Sequence, residues 1–188
     1  MKKLLLAVGL VLAATQVWAA DAYTIDPVHS TLGFSIKHMM VSQTSGQFNQ
    51  YEGVIVYDPN NLANSSANVT IQAASIDTRN EKRDGHLKSP DFFDAAKFPT
   101  ITFVSKKFSK DSIVGDLTIK GVTKEVTIPM TVSGPVTSMM GSPIIGLSGT
   151  LTLNRQDYGI TWNKALDQGG VAVANDVQVT INIEAGKK

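Results

Sequence analysis

The chain of 188 residues has no cysteine. That excludes a disulfide framework, thiolate metal sites and a cysteine nucleophile, so stability has to come from an apolar core. Histidine is scarce as well: His29, His38 and His86 are the whole set. A structural zinc site takes four nitrogen or sulfur ligands, and a catalytic one takes three plus water. Without HxH or HExxH spacing, the three histidines fix no metal site, even if Asp26, Glu81 or Asp84 adds oxygen. No GxSxG elbow occurs, and Ser30 next to His29 would point to the opposite face of a strand. Asp91 and Asp94 read as solvated or capping acids. These absences count against an enzyme and against a resident cofactor. An excess of charge of one sign is missing too, with 17 basic and 16 acidic residues. The charges are scattered, which leaves no footprint for nucleic acid or an anionic membrane.

Long apolar runs are absent after the first residues. Lys2 and Lys3 precede an apolar run from Leu4 to Ala14, and Val17-Trp18-Ala19 offers a cleavage site. The run is too short to cross a bilayer and reads as a secretory signal peptide cut after Ala19. The expected location is the periplasm, with no stable membrane insertion. Residues 20–188 fit one domain.

What is present is alternation with period two, the mark of half-buried strands. Leu32, Phe34, Ile36 and His38 share a face, as do Val69, Ile71 and Ala73, and Ile101 and Phe103. Ile113, Leu117 and Ile119 form another set, followed by Val126, Ile128, Met130 and Val132. Ile145, Leu147, Gly149, Leu151 and Leu153 precede a final set of Val177, Val179, Ile181 and Ile183. Gly53–Asp58 is apolar on both faces. Lys120-Gly121 predicts a hairpin over 113–132, and Pro129 predicts a bulge or an edge within it. Between Thr78 and Lys97 the pattern turns helical. Thr78 and Glu81 form a capping-box pattern, and Ser89-Pro90 opens a second short helix. Phe92, Phe93 and Phe98 are too many aromatics for so small an insertion and are expected to cap the β-structure. The pairs Met39-Met40 and Met139-Met140 read as flexible apolar lining rather than a copper site. The expected class is all-β with about eight antiparallel strands, either closed as a barrel or stacked as a sandwich.

Four ordered stretches carry a likeness to a known family: DPVHSTLGFSIKH (26–38), RDGHLKSPDFFDAAKFPTITF (83–103), GDLTIKGVTKEV (115–126) and NRQDYGI (154–160). The chain resembles the bacterial YceI-like, polyisoprenoid-binding or lipocalin-like, proteins from about Tyr23 to Glu184. The resemblance implies an extended eight-stranded antiparallel barrel with a hydrophobic pore, which the short helical insertion around 78–97 would join, in a family with no established catalytic activity. It implies a long-chain isoprenoid or fatty-acyl ligand: an isoprenoid quinone or polyprenyl species first, a fatty acid or its amide next. Ala174-Asn175-Asp176 stands where members often carry a Gly-Asp or Gly-Glu turn. Face parity then assigns the pore wall to Leu32, Phe34, Ile36, Ile71, Phe103, Leu117, Ile119, Ile128, Met130, Leu151, Val179 and Ile181. His38 is placed at one end to meet a polar head. Arg155 and Asp157, beside Tyr158, are read as a structural turn and ion pair. The rival reading is an interaction domain with a filled core, and paired edge strands leave a homodimer possible.

Overall fold

Alternation becomes strand pairing along nearly all of the chain. The computed structural model describes residues 20–167 and 169–187, so the leader read at 1–19 lies outside the described residues. The strands are β1 (Asp21–Ile25), β2 (Thr31–His38), β3 (Ser42–Phe48), β4 (Tyr51–Tyr57), β5 (Ser66–Gln72) and β6 (Ile76–Asp77). After helix α1 (Glu81–Lys88) come β7 (Thr100–Phe108), β8 (Ser112–Ile119), β9 (Val122–Thr137), β10 (Pro143–Asn154) and β11 (Val173–Lys187). Eight of them form a ring in the order β1-β4-β5-β7-β8-β9-β10-β11, closed by β1 against β11 at Tyr23↔Lys187. The edge of β11 that meets β1 at its end carries β2 along Val173–Asn182, and β3 and the two-residue β6 follow β2. The architecture is the expected all-β antiparallel barrel, and ring closure excludes the sandwich.

The hairpin at 113–132 turns at Lys120 and Gly121, both with positive φ (50° and 75°), as a tight two-residue turn requires. Ile55 and Tyr57 are buried whereas Val54 is exposed, which fixes the inward parity of the ambiguous GVIVYD stretch. Pro129 pairs with Ser112 of β8, while the ladder from β9 to β10 begins only at Met130↔Gly149. The missing N–H therefore lies where one ladder has stopped, the edge position expected of a strand proline. Ala174–Asp176 is strand, bulged against β2 between Val173 and Val177.

The helical insertion departs from expectation in two places. The cap of α1 is Asn80, whose side chain accepts from the Arg83 N–H at 3.0 Å. Thr78 does not cap, because its hydroxyl and N–H both donate to the buried carboxylate of Asp84. The second helix does not form. Ser89 instead ends α1, and its carbonyl accepts from the N–H groups of Phe92 and Asp94. Asp94 takes a left-handed φ of 49°, which a continuing helix cannot accommodate.

The core divides into two clusters. The larger fills one end of the barrel with Tyr23, Ile25, Ile55, Tyr57, Phe108, Ile145 and Ala185, where Ala185 has no exposed surface. The smaller, built on Ala73, Ala95 and Ile101, joins the insertion to the opposite end through Phe48, Phe93, Leu117 and Ile119.

Candidate functional site

Between the packed base and the insertion the inward faces do not meet. They line a cavity of ≈ 230 Å³ that reaches from Ile55, Ile113 and Leu147 up to Leu87, Phe92 and Ile160. The strand registers explain why its wall is apolar. Pairs such as Leu151↔Val179, Ile181↔Leu32 and Phe103↔Leu117 set side by side residues of the same inward parity. Small residues leave room for large ones: a Cβ on Gly115 would lie 2.6 Å from Phe103 Cζ. The Phe103 ring therefore occupies the space that a side chain at 115 would need.

The structure brings twelve of the thirteen sequence-assigned residues onto this one surface: Leu32, Phe34, Ile36, Ile71, Phe103, Leu117, Ile119, Ile128, Met130, Leu151, Val179 and Ile181. The thirteenth, His38, is not among the lining residues. It sits exposed at the end of β2, although its register partner Val173 lines the cavity; its other neighbour is Ser42 of β3. Val69, Leu153 and Val177 also line the cavity and share the parity that found their neighbours, so alternation contained the signal for them. Ile160 and Val173 lie outside any alternating run.

The cap is aromatic. His86 meets Phe92 and Trp162 edge-to-face, each at 5.0 Å, while Phe92 and Trp162 are 5.3 Å apart. Phe93 packs on Phe48, which in turn contacts Phe34 on the wall. Phe98 does not join the lining; it covers Gly121 at the β8–β9 turn. His86 Nε2 is held by Asp91 at 2.9 Å, and Arg83 donates to Thr78 Oγ1 and to the Thr78 carbonyl, both at 2.7 Å.

Arg155 is the one charged residue of the wall among the described residues, and it is buried. It does not pair with Asp157. Its Nη1 donates to the carbonyls of Ile160 and Trp162, and its Nε donates to that of Ala174, all at 2.8 Å. Burial pushes the guanidinium down from its ordinary value. The expected ion pair is replaced by a carbonyl cage that leaves the lumen face apolar.

The three histidines do not converge. His29 lies outside the barrel between β1 and β2, with Nδ1 2.7 Å from Asp26 and 3.9 Å from Glu184. The spacing of these three groups would admit a cation. Asp26 and His29 are already bonded to each other, however, and Asp26 also accepts from the Val28 N–H. Nor do the methionine pairs converge. Met39 bonds Ala172 at the start of β11, whereas Met139 and Met140 are fully exposed beside the other end.

The YceI-like domain matches residues 23–185. The chain belongs to the YceI-like family. A UPF0312 protein of Staphylococcus aureus is 45% identical over 163 residues, covering 86% of this chain and 95% of that protein. The YceI protein of Campylobacter jejuni superposes with a TM-score of 0.70 at 30% identity, over 98% of this chain and 99% of its own. A polyisoprenoid-binding domain from Saccharophagus degradans has a TM-score of 0.67 at 16% identity, over 89% of this chain and 99% of its own, a likeness of fold alone. The YceI-like barrel is thus shared well beyond detailed sequence similarity.

Proposed function

We propose that this YceI-like protein is an exported carrier that holds the tail of a long-chain amphipathic lipid in its lumen. The observation that carries the reading is the cavity itself: it is closed at one end, roofed at the other and walled by aliphatic and aromatic side chains. Such a surface has nothing to offer a polar substrate. A tail gains about 0.8 kcal/mol per CH₂ removed from water, so fifteen carbons give roughly 12 kcal/mol before the cost of association and chain ordering. The description of the Saccharophagus domain as polyisoprenoid-binding supports a tail of that class. Isoprenoid quinones and polyprenyl species lead, with fatty acids and their amides next. The one charged group of the wall among the described residues, Arg155, has its donors held by backbone carbonyls, which supports binding without turnover. The leader at 1–19 supports a periplasmic site of action.

The test is native mass spectrometry of protein isolated from the periplasm without detergent, followed by organic extraction. A stoichiometric adduct of hydrophobic mass is expected, on a chain that begins at Ala20. A bare mass with no uptake of added quinone or fatty amide would reject the carrier.

A further inference from the structure

The barrel wall is split on one side. β9 pairs with β8 along Val122–Pro129 and with β10 only from Met130 onward. β10 in turn pairs with β11 through Asn154 but with β9 only up to Gly149. Above Met130 and Gly149 the strands part, and the facing backbone edges have no ladder partner. The chemistry at the fork accounts for the divergence. Pro129 has no N–H to continue the ladder, and Gly149, where a Cβ would lie 2.5 Å from the Pro129 carbonyl, marks the last close approach of the two strands. At the top, Lys120 Nζ donates to the carbonyls of Pro90 and Gly159 and bridges the gap. A groove lies between fork and bridge, lined from outside by Thr127, Thr150, Thr152 and Gln178. Leu151 and Leu153 border both this groove and the lumen.

We infer that this seam between β9 and β10 is the head-group site of the lumen's ligand, and that it selects a neutral hydrogen-bonding head: a carboxamide or a hydroxyl, which donate and accept, or a quinone carbonyl, which accepts. The inference rests on the carrier reading and names the ligand class. Three observations carry it. The lumen is packed at its base and covered by aromatics, the donors of Arg155 in its wall are held by backbone carbonyls, and the seam adjoins it through Leu151 and Leu153. The hydroxyls of Thr127, Thr150 and Thr152 and the Gln178 amide make no protein hydrogen bond among the described residues, and strand-edge N–H and C=O groups lie open beside them. No charged side chain lines the groove. A carboxylate or phosphate there would give up hydration without meeting a cation, whereas a neutral head exchanges water for equivalent partners.

Oleamide, oleyl alcohol and oleate share one tail and differ only in head. Their binding to the delipidated chain is compared at about pH 8, where oleate is ionised. The amide and alcohol should bind at least about tenfold more tightly than oleate, and Thr127→Val with Thr152→Val should weaken the amide about tenfold. Thr152→Lys should shift the preference toward oleate, which keeps the idea testable if the valine variant folds poorly. Equal retention of all three ligands, or an unmoved preference in Thr152→Lys, overturns the seam but leaves the lumen in place. Uptake of none of them, by a protein that also carries no native adduct, instead rejects the carrier reading itself.

Discussion

At the scale of single residues, His29 shows how a motif that looks catalytic can be a local lock. Asp26 accepts from the Val28 N–H with one oxygen and holds His29 Nδ1 with the other. The hydrogen bond to Asp26, then its charge and that of Glu184, raise the histidine above its ordinary value. The bond from His29 likewise lowers Asp26. The raised histidine adds stability that is full below about pH 6.5 and is lost as pH rises through the folded value. The lowered carboxylate adds stability above about pH 3.8 that is lost as pH falls through its folded value. In Asp26→Asn the His29 titration, followed by NMR, should fall back toward about 6.5. An unmoved titration would mean that Glu184, at 3.9 Å, is the dominant partner.

At the scale of elements, the strands were legible and the connections were not. Alternation at 145–153 and 177–183 marked β10 and β11 because each inward residue stands two positions from the next. Nothing periodic marks the segment between them, which closes the cap. Its anchor is Arg155, whose guanidinium ties the end of β10 to Ile160, Trp162 and the start of β11 at Ala174. Sequence alone paired Arg155 with the nearby Asp157, since opposite charges two residues apart are the simplest partners. The short 3₁₀ turn at Arg155–Tyr158 carries the arginine inward and leaves the aspartate exposed. The helix start differs for a similar reason: the Thr78-Glu81 spacing suits a capping box, but the Thr78 hydroxyl donates to Asp84 and Asn80 caps instead. Arg155→Met should cost on the order of 3 kcal/mol in denaturant unfolding, about one for each short bond lost to a buried carbonyl. Lysine should not restore it, because one ammonium cannot span acceptors fixed for a planar fork. Full rescue by Arg155→Lys would show that charge alone holds the connection.

At the scale of the whole molecule, parity names the residues that face inward but not whether they meet. Ile145 and Ile119 are both inward on strands of the same barrel, yet Ile145 is packed in the base at 1% exposure and Ile119 borders the lumen beneath the cap. The difference comes from what stands opposite. Tyr23, Tyr57 and Phe108 fill the base, while Leu, Ile and Val around β8, β10 and β11 fall short of one another above it. A charge at the two positions should therefore do different things. Ile145→Glu buries a carboxylate among close-packed side chains with no partner, and it should unfold the barrel or push that carboxyl to stay neutral. Ile119→Glu places the carboxylate in a space that water can fill once the tail has gone. Its circular dichroism should stay β-rich while native mass spectra lose the hydrophobic adduct. A folded Ile119→Glu protein with undiminished lipid would remove Ile119 from the lumen wall. A well-folded Ile145→Glu that has lost its lipid would extend the lumen into what is here the packed base.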